Sequence, residues 1–207
     1  MSRAPSGPAT LPRRIVLTGF MGAGKSTVGR MLAARLRWPF LDIDSLITAE
    51  HNCTVARIFA DHGEPHFRRL EAETVARVLA PGHEHEQAIV ALGGGAIETE
   101  AVRRLLFAGS TSTETVTIFL AAPLTELLAR CRGTEDREME HAGTAGEQRP
   151  VRPLLTAAES PEERLGRRLP LYRQAHLTVD TSGIQPVVVV DRIMDWLSAY
   201  HPPHLDR

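Results

Sequence analysis

The segment Gly19-Phe20-Met21-Gly22-Ala23-Gly24-Lys25-Ser26 reads G-x-x-x-x-G-K-[ST], a spacing suited to holding phosphate. Glycines let the backbone curl closely around a polyphosphate with its N–H groups turned inward. A helix starting directly afterwards adds the partial positive charge of its N-terminus. Lys25 can reach β- and γ-phosphates, and the Ser26 hydroxyl can ligate Mg²⁺. Of the 24 basic residues, 23 are arginine and Lys25 is the only lysine. A chain that uses arginine everywhere else keeps its one ammonium at the point where phosphates would lie.

Further residues could work on what the phosphate is attached to. In Asp42-Ile43-Asp44, two carboxylates at i and i+2 can divide labour, one holding metal-bound water and the other orienting or deprotonating an acceptor hydroxyl. The same place equally suits a helix N-cap. Arg68 and Glu71 in Phe67-Arg68-Arg69-Leu70-Glu71 are spaced to share a helix face, where the carboxylate would aim the guanidinium fork at an anionic ligand; a plain surface ion pair fits the spacing as well. Gly93-Gly94-Gly95 offers backbone N–H groups to a small polar substrate, or simply a sharp turn. Arg149-Pro150-Val151-Arg152 and Arg168-Leu169-Pro170-Leu171-Tyr172 carry arginines that could close over a transferring phosphoryl group, or stay solvated.

The elements that must position these groups alternate. Short apolar runs at Ile15–Leu17, Phe40–Leu41, Ile89–Leu92, Val116–Leu120 and His176–Val179 read as buried strands. Helical patterns lie between them: 26–36, a Thr54-capped turn through Phe59, a stripe of Phe67, Leu70, Thr74, Val75 and Val78, a helix carrying Leu124, Leu127 and Leu128, and a closing one with Val190, Ile193, Met194 and Leu197. Arg168 to Tyr172 is expected to follow a helix. This alternation predicts an α/β fold, a parallel sheet covered by helices on both faces. Residues 133–151 are Gly-, Glu- and Arg-rich without apolar period and are expected to form a lid, a binding loop or a disordered insert. The expected domain spans 14–200, with a flexible arm at 1–13 and a flexible tail at 201–207.

Composition narrows the class. A net charge of −1 recruits neither nucleic acid nor an anionic membrane. The longest apolar stretches fall well short of the ~20 residues that span a bilayer. Residues 1–14 lack an apolar signal-peptide core, and Cys53 and Cys131 form no spacing motif, so a cytoplasmic location with reduced thiols is expected. His83 and His85 read as a solvated turn, Trp38 and Trp196 as packing, and Cys131 as an inert core thiol.

The order of the motifs, with the phosphate loop followed by D-x-D, F-R-x-x-E, G-G-G-A, R-P-L-L and R-x-P-L-Y, resembles the shikimate kinases from about Arg14 to Asp180. The resemblance implies a three-layer α/β/α P-loop fold, a five-stranded parallel sheet in the order 2-3-1-4-5 and a mobile lid at about 133–152. It implies transfer of the γ-phosphoryl group of ATP to the 3-hydroxyl of shikimate, with Mg²⁺, in a monomeric enzyme of aromatic amino acid biosynthesis. Under it, Gly22, Ala23, Gly24, Lys25, Ser26 and Thr27 would cradle the phosphates, with Ser26 on Mg²⁺ and Asp42 reaching the metal through water. Asp44 would bind the substrate hydroxyls and serve as the candidate base. Arg68 and Arg168 would hold the shikimate carboxylate, with Glu71 fixing Arg68, Gly93, Gly94 and Gly95 beside the substrate, and Phe59 and Phe67 walling its pocket. Arg152 would swing in with the lid to act in catalysis at the phosphates.

Two features depart from the family pattern. The lid is long, and the arginine often found beside adenine after the fifth strand is missing from Ser182-Gly183-Ile184-Gln185-Pro186; Arg130 or Arg132 could stack there instead. Two other readings stay open: a P-loop kinase for another polyol acid such as gluconate, and a non-catalytic sensor of nucleotide. With no protein nucleophile in the constellation, the expected chemistry is direct in-line transfer.

Overall fold

The structure, a computed structural model, describes residues 11–107, 114–140 and 159–200, with the main chain alone for 133–140. Along the chain it runs β1 (Arg14–Thr18), α1 (Lys25–Leu36), β2 (Phe40–Asp42), α2 (Ile43–His51), α3 (Val55–Leu79), β3 (Ala88–Ala91), a single 3₁₀ turn (Ala96–Glu98), α4 (Glu100–Phe107), β4 (Thr115–Ala121), α5 (Leu124–Glu140), α6 (Pro161–Tyr172), β5 (Leu177–Asp180) and α7 (Pro186–Ala199).

All five strands are parallel, in the order β2-β3-β1-β4-β5, as expected. Ile15 of β1 sits opposite both Ile89 of β3 and Val116 of β4. The apolar runs are unbroken because the central strands are covered on both faces: every residue of β1 and β3 is buried. α1 and α7 pack together, while α3 packs on α4, and α6 lies against α5 and the 3₁₀ turn. Carboxyl ends of parallel strands face one crevice, and β1, β2 and β3 deliver the phosphate loop, Asp42 and the glycine triplet to it. Among the described residues no helix is long and apolar enough to cross a membrane.

Several boundaries differ from the sequence reading. The helical segments on either side of 60–66 are one element, α3, broken at Gly63 (φ 78°) two residues before Pro65. Residues 133–140, expected in the lid, continue α5. Their polar sequence hides any period, yet Glu, Arg and Met are good helix formers and extending an existing helix is easy. The rest of the expected lid, 141–152, lies outside the described residues. Arg168 to Tyr172 does not follow a helix but forms the end of α6. That helix starts at a Ser160/Glu163 capping box and runs two residues past Pro170. β5 begins at Leu177 rather than His176, whose Nδ1 instead accepts a hydrogen bond from the Thr117 N–H at 3.0 Å.

Of the expected arm, only 11–13 are described: Pro12 is buried, and the Arg13 carbonyl accepts from the Ala88 N–H at 3.0 Å, so the sheet is already engaged there. The expected tail, 201–207, lies outside the described residues. His83 and His85 sit in a turn, as read, where the His85 N–H donates to His83 Nδ1. Trp38 and Trp196 pack against the core, and Cys131 is buried in it.

Leu32 on α1 is fully buried in this core. Leu32→Ala is expected to lower unfolding free energy by roughly 2–5 kcal/mol, read as a shift in urea midpoint with unchanged slope.

Candidate active site

β1 ends in the phosphate loop, which bends back into α1. At Gly22 the backbone adopts φ 75°, and a Cβ there would stand 2.2 Å from the Leu127 carbonyl oxygen, so only glycine lets the loop lie against α5. The Lys25 ammonium curls over the loop and donates to the carbonyls of Gly19 (2.9 Å) and Phe20 (3.1 Å). Gly22, Ala23, Gly24, Lys25, Ser26 and Thr27 all line one cleft of about 1260 Å³.

Asp42 takes the N-cap reading of its position and also reaches the phosphate loop. Its Oδ1 caps α2 by accepting from the Ser45 N–H at 3.3 Å, and its Oδ2 accepts from the Ser26 hydroxyl at 3.0 Å. A hydroxyl and a carboxylate touching beside a phosphate loop fit Mg²⁺, a hard cation that uses one or two protein oxygens and keeps several waters. Among the described residues no cluster of three or more His, Cys, Asp or Glu side chains competes as a metal centre.

Toward the other end of the cleft, the glycine triplet after β3 is a hub. Its middle residue, Gly94, borders the phosphate loop, its Cβ position 3.6 Å from the Gly19 carbonyl oxygen and the Met21 nitrogen, while the outer two make room for side chains. A Cβ on Gly93 would lie 2.3 Å from Glu71 Oε1 and 2.8 Å from Asp44 Oδ1. One on Gly95 would lie 2.2 Å from Arg68 Nη2, and Arg168 Nη1 stands 3.9 Å from the corresponding point on Gly94. The triplet is therefore no mere turn: Gly93 and Gly95 remove the side-chain volume that would exclude Arg68 and two carboxylates.

Arg68 and Glu71 form no surface pair. Glu71 is fully buried, and Arg68 Nη1 donates to its Oε2 at 2.7 Å. Glu64, one turn back on α3, accepts from Arg68 Nη2 at 2.8 Å and Nε at 3.2 Å. Burial opposes the guanidinium charge, but Glu71 and Glu64 outweigh it and hold Arg68 above its ordinary value. Burial dominates for Glu71, outweighing the attraction of Arg68; Asp44 adds repulsion, and the Glu71 carboxyl is pushed up to about 7. Its Oε1 has no hydrogen-bond partner among the described residues.

Arg168, also buried, arrives from α6. Its Nε donates to Glu98 Oε2 at 2.7 Å and its guanidinium carbon lies 5.8 Å from the centre of the Phe20 ring. One turn on, the Tyr172 hydroxyl donates to the Gly94 carbonyl at 2.5 Å, and its ring stacks on Phe119. Phe59 and Phe67 wall this end with ring centres 4.9 Å apart.

Sequence reasoning missed Glu64 and Glu98. Glu64 has the i, i+4 spacing to Arg68, but Gly63 and Pro65 disguise the helix that makes the spacing meaningful. Glu98 meets Arg168 across 70 residues, which no local pattern signals. Of the two arginines proposed for the adenine end, Arg130 lines the cleft. It donates through Nη1 to Thr181 Oγ1 (2.9 Å) and through Nη2 to the Thr181 carbonyl and Glu126, both at 2.6 Å. Arg132 is exposed and outside the lining, and Arg152 lies outside the described residues.

Comparison with known proteins bears directly on this cleft. A family model described as shikimate kinase matches residues 21–198. The chain belongs to the shikimate kinase family. The shikimate kinase of Salinibacter ruber is 37% identical over 193 residues, 93% of this chain and 88% of its own length. That of Geobacter metallireducens is 36% identical over 192 residues, covering 93% and 95%. Among solved structures, a shikimate kinase from Acinetobacter baumannii in complex with shikimate aligns at a TM-score of 0.73. It is 32% identical and covers 92% of this chain and 95% of its own. The expected family and sheet order are thus met.

In this shikimate kinase family member, the raised Glu71 carboxyl couples protonation to folding. The native state holds that proton up to about pH 7, whereas an unfolded glutamate releases it near 4.5. The native state binds more protons between these values, so this group's contribution to stability falls as pH rises from about 4.5 to about 7 and is flat above. Glu71→Gln is expected to remove that slope, seen as a wild-type-minus-variant difference in urea midpoints that declines across the window.

Proposed function

We propose that this chain transfers the γ-phosphoryl group of ATP to the 3-hydroxyl of shikimate, giving shikimate 3-phosphate and ADP in the biosynthesis of chorismate and aromatic amino acids. The observation that carries this reading is the convergence of Arg68 and Arg168, from α3 and α6, on the glycine triplet that borders the phosphate loop. A small ring acid needs a cationic clamp at its carboxylate and an acceptor at its hydroxyls. The cleft offers two guanidinium groups for the first and Asp44 for the second.

The mechanism follows from where these groups stand. The loop amides bind the β- and γ-phosphates, and Lys25 exchanges the Gly19 and Phe20 carbonyls for phosphate oxygens. Ser26 and Asp42 would hold Mg²⁺, which when bound neutralises charge on the phosphates. Arg68 and Arg168 fix the carboxylate so that the ring's hydroxyl edge faces Asp44. Asp44 accepts the 3-hydroxyl proton as that oxygen bonds to the γ-phosphorus, while the bond from phosphorus to the ADP oxygen breaks in line. Arg130 supports the nucleotide end from the wall. Arg152 is the remaining arginine we assign to the phosphates. We further read the chain as a monomeric cytoplasmic enzyme of small-molecule substrates, a reading that the near-zero net charge supports against nucleic-acid partners.

Purified protein assayed side by side is expected to turn over shikimate and not gluconate; turnover of gluconate alone would overturn the reading. Lys25→Ala is expected to cut kcat by about 10²–10³ or more, whereas a nucleotide sensor without catalysis would show no wild-type turnover to lose. Arg168→Ala is expected to raise KM for shikimate by about two orders of magnitude and leave KM for ATP near its original value.

A further inference from the structure

Glu98 closes the 3₁₀ turn that follows the glycine triplet, and its position is built rather than incidental. Its N–H donates to the Gly95 carbonyl at 2.9 Å. Arg103 Nη1 donates to the carbonyls of Ile97 (2.8 Å) and of Glu98 itself (2.7 Å), pinning the turn from α4. The side chain then divides its two oxygens between neighbouring arginines of α6. Oε1 accepts from Arg167 Nε and Oε2 from Arg168 Nε, each at 2.7 Å. Burial works to raise the Glu98 carboxyl, but hydrogen bonds and charge from Arg167 and Arg168 prevail and hold it below the usual carboxylate range.

The two arginines are not equivalent. Arg167 is half exposed, whereas the Arg168 side chain is 2% exposed and stands beside Gly94 in the cleft. A guanidinium can present a carboxylate with its Nε side or with its Nη1–Nη2 end. We propose that Glu98 is a positioning residue: by occupying Arg168 Nε it turns the Nη1–Nη2 end toward the cleft, so that the substrate's carboxylate is taken end-on. Glu98 also supplies the counter-charge that a buried guanidinium needs before substrate arrives. Phe20 beneath the guanidinium carbon and Tyr172, tied to the Gly94 carbonyl, restrict the remaining rotation. The assignment rests on the reading of Arg168 as a carboxylate clamp.

The test compares wild type, Glu98→Gln and Arg167→Gln by steady-state kinetics, thermal melting and calorimetric titration with shikimate and with its carboxamide. Glu98→Gln keeps the shape but turns an N–H toward a guanidinium. It is expected to raise KM and Kd for shikimate about tenfold or more, with kcat and KM for ATP little changed. The preference for shikimate over the carboxamide is expected to shrink by a similar factor, because the lost orientation serves the carboxylate alone. Arg167→Gln, which removes the outer partner only, is expected to leave the shikimate Kd unaltered. If both variants lower the melting temperature alike and neither moves the shikimate Kd, Glu98 is a structural strap and the proposal is overturned. Wild-type protein that fails to bind shikimate would instead bring down the clamp reading, and this assignment with it.

Discussion

Glu71, Asp44 and Arg68 can meet beyond the end of β3 only because Gly93 and Gly95 have no Cβ. Glu71 and Asp44 crowd Gly93, Arg168 borders Gly94, and Arg68 lies over Gly95. Any larger residue at the first or third position would occupy the space of a carboxylate oxygen or a guanidinium nitrogen. Once the charges are admitted, each must be compensated, since an unpaired buried charge costs several kcal/mol. Arg68 is therefore held by Glu71 and Glu64, and Arg168 by Glu98.

The two ends of the cleft solve opposite electrostatic problems. At the phosphate loop the polar groups are backbone N–H dipoles and one ammonium, which donates to the loop's own carbonyls. Nothing there requires a buried counter-ion. At the substrate end the cations are permanent and enclosed, so the protein carries their counter-charges itself. Glu71 absorbs the excess: burial and Asp44 push its carboxyl to about 7, giving the cluster a way to shed one negative charge near neutrality. This division suits the two cations: arginine's planar, fixed donors pair with buried carboxylates, while the lone lysine, a compact charge on a flexible stem, sits over the phosphate loop.

Much of the fold was legible because its signals are local. Apolar runs marked all five strands, and the phosphate loop located the join between β1 and α1. Errors arose where polar sequence concealed regular structure. Residues 133–140 have no apolar period, yet α5 extends through them, and Arg168 to Tyr172, expected to follow a helix, is the last stretch of α6. Gly63 and Pro65 gave the opposite impression, of separate helices where the chain keeps one kinked element.

The sequence alone determined which chemical groups are available and in what order: a phosphate-binding turn, paired carboxylates, arginines and a glycine triplet, each recognisable within a few residues. Whether Asp42 was a cap or a metal-side ligand, and whether Arg68 and Glu71 were surface or site, local spacing could not say. Tertiary structure gives Asp42 the cap together with a hydrogen bond from Ser26, and buries Glu71 completely instead of leaving it at the surface. It alone joined Glu98 to Arg168, across 70 residues. The physical reason is that burial and the pairing of charges are properties of space shared by elements distant in the chain, and a local pattern cannot encode which distant group will fill the volume a glycine leaves open.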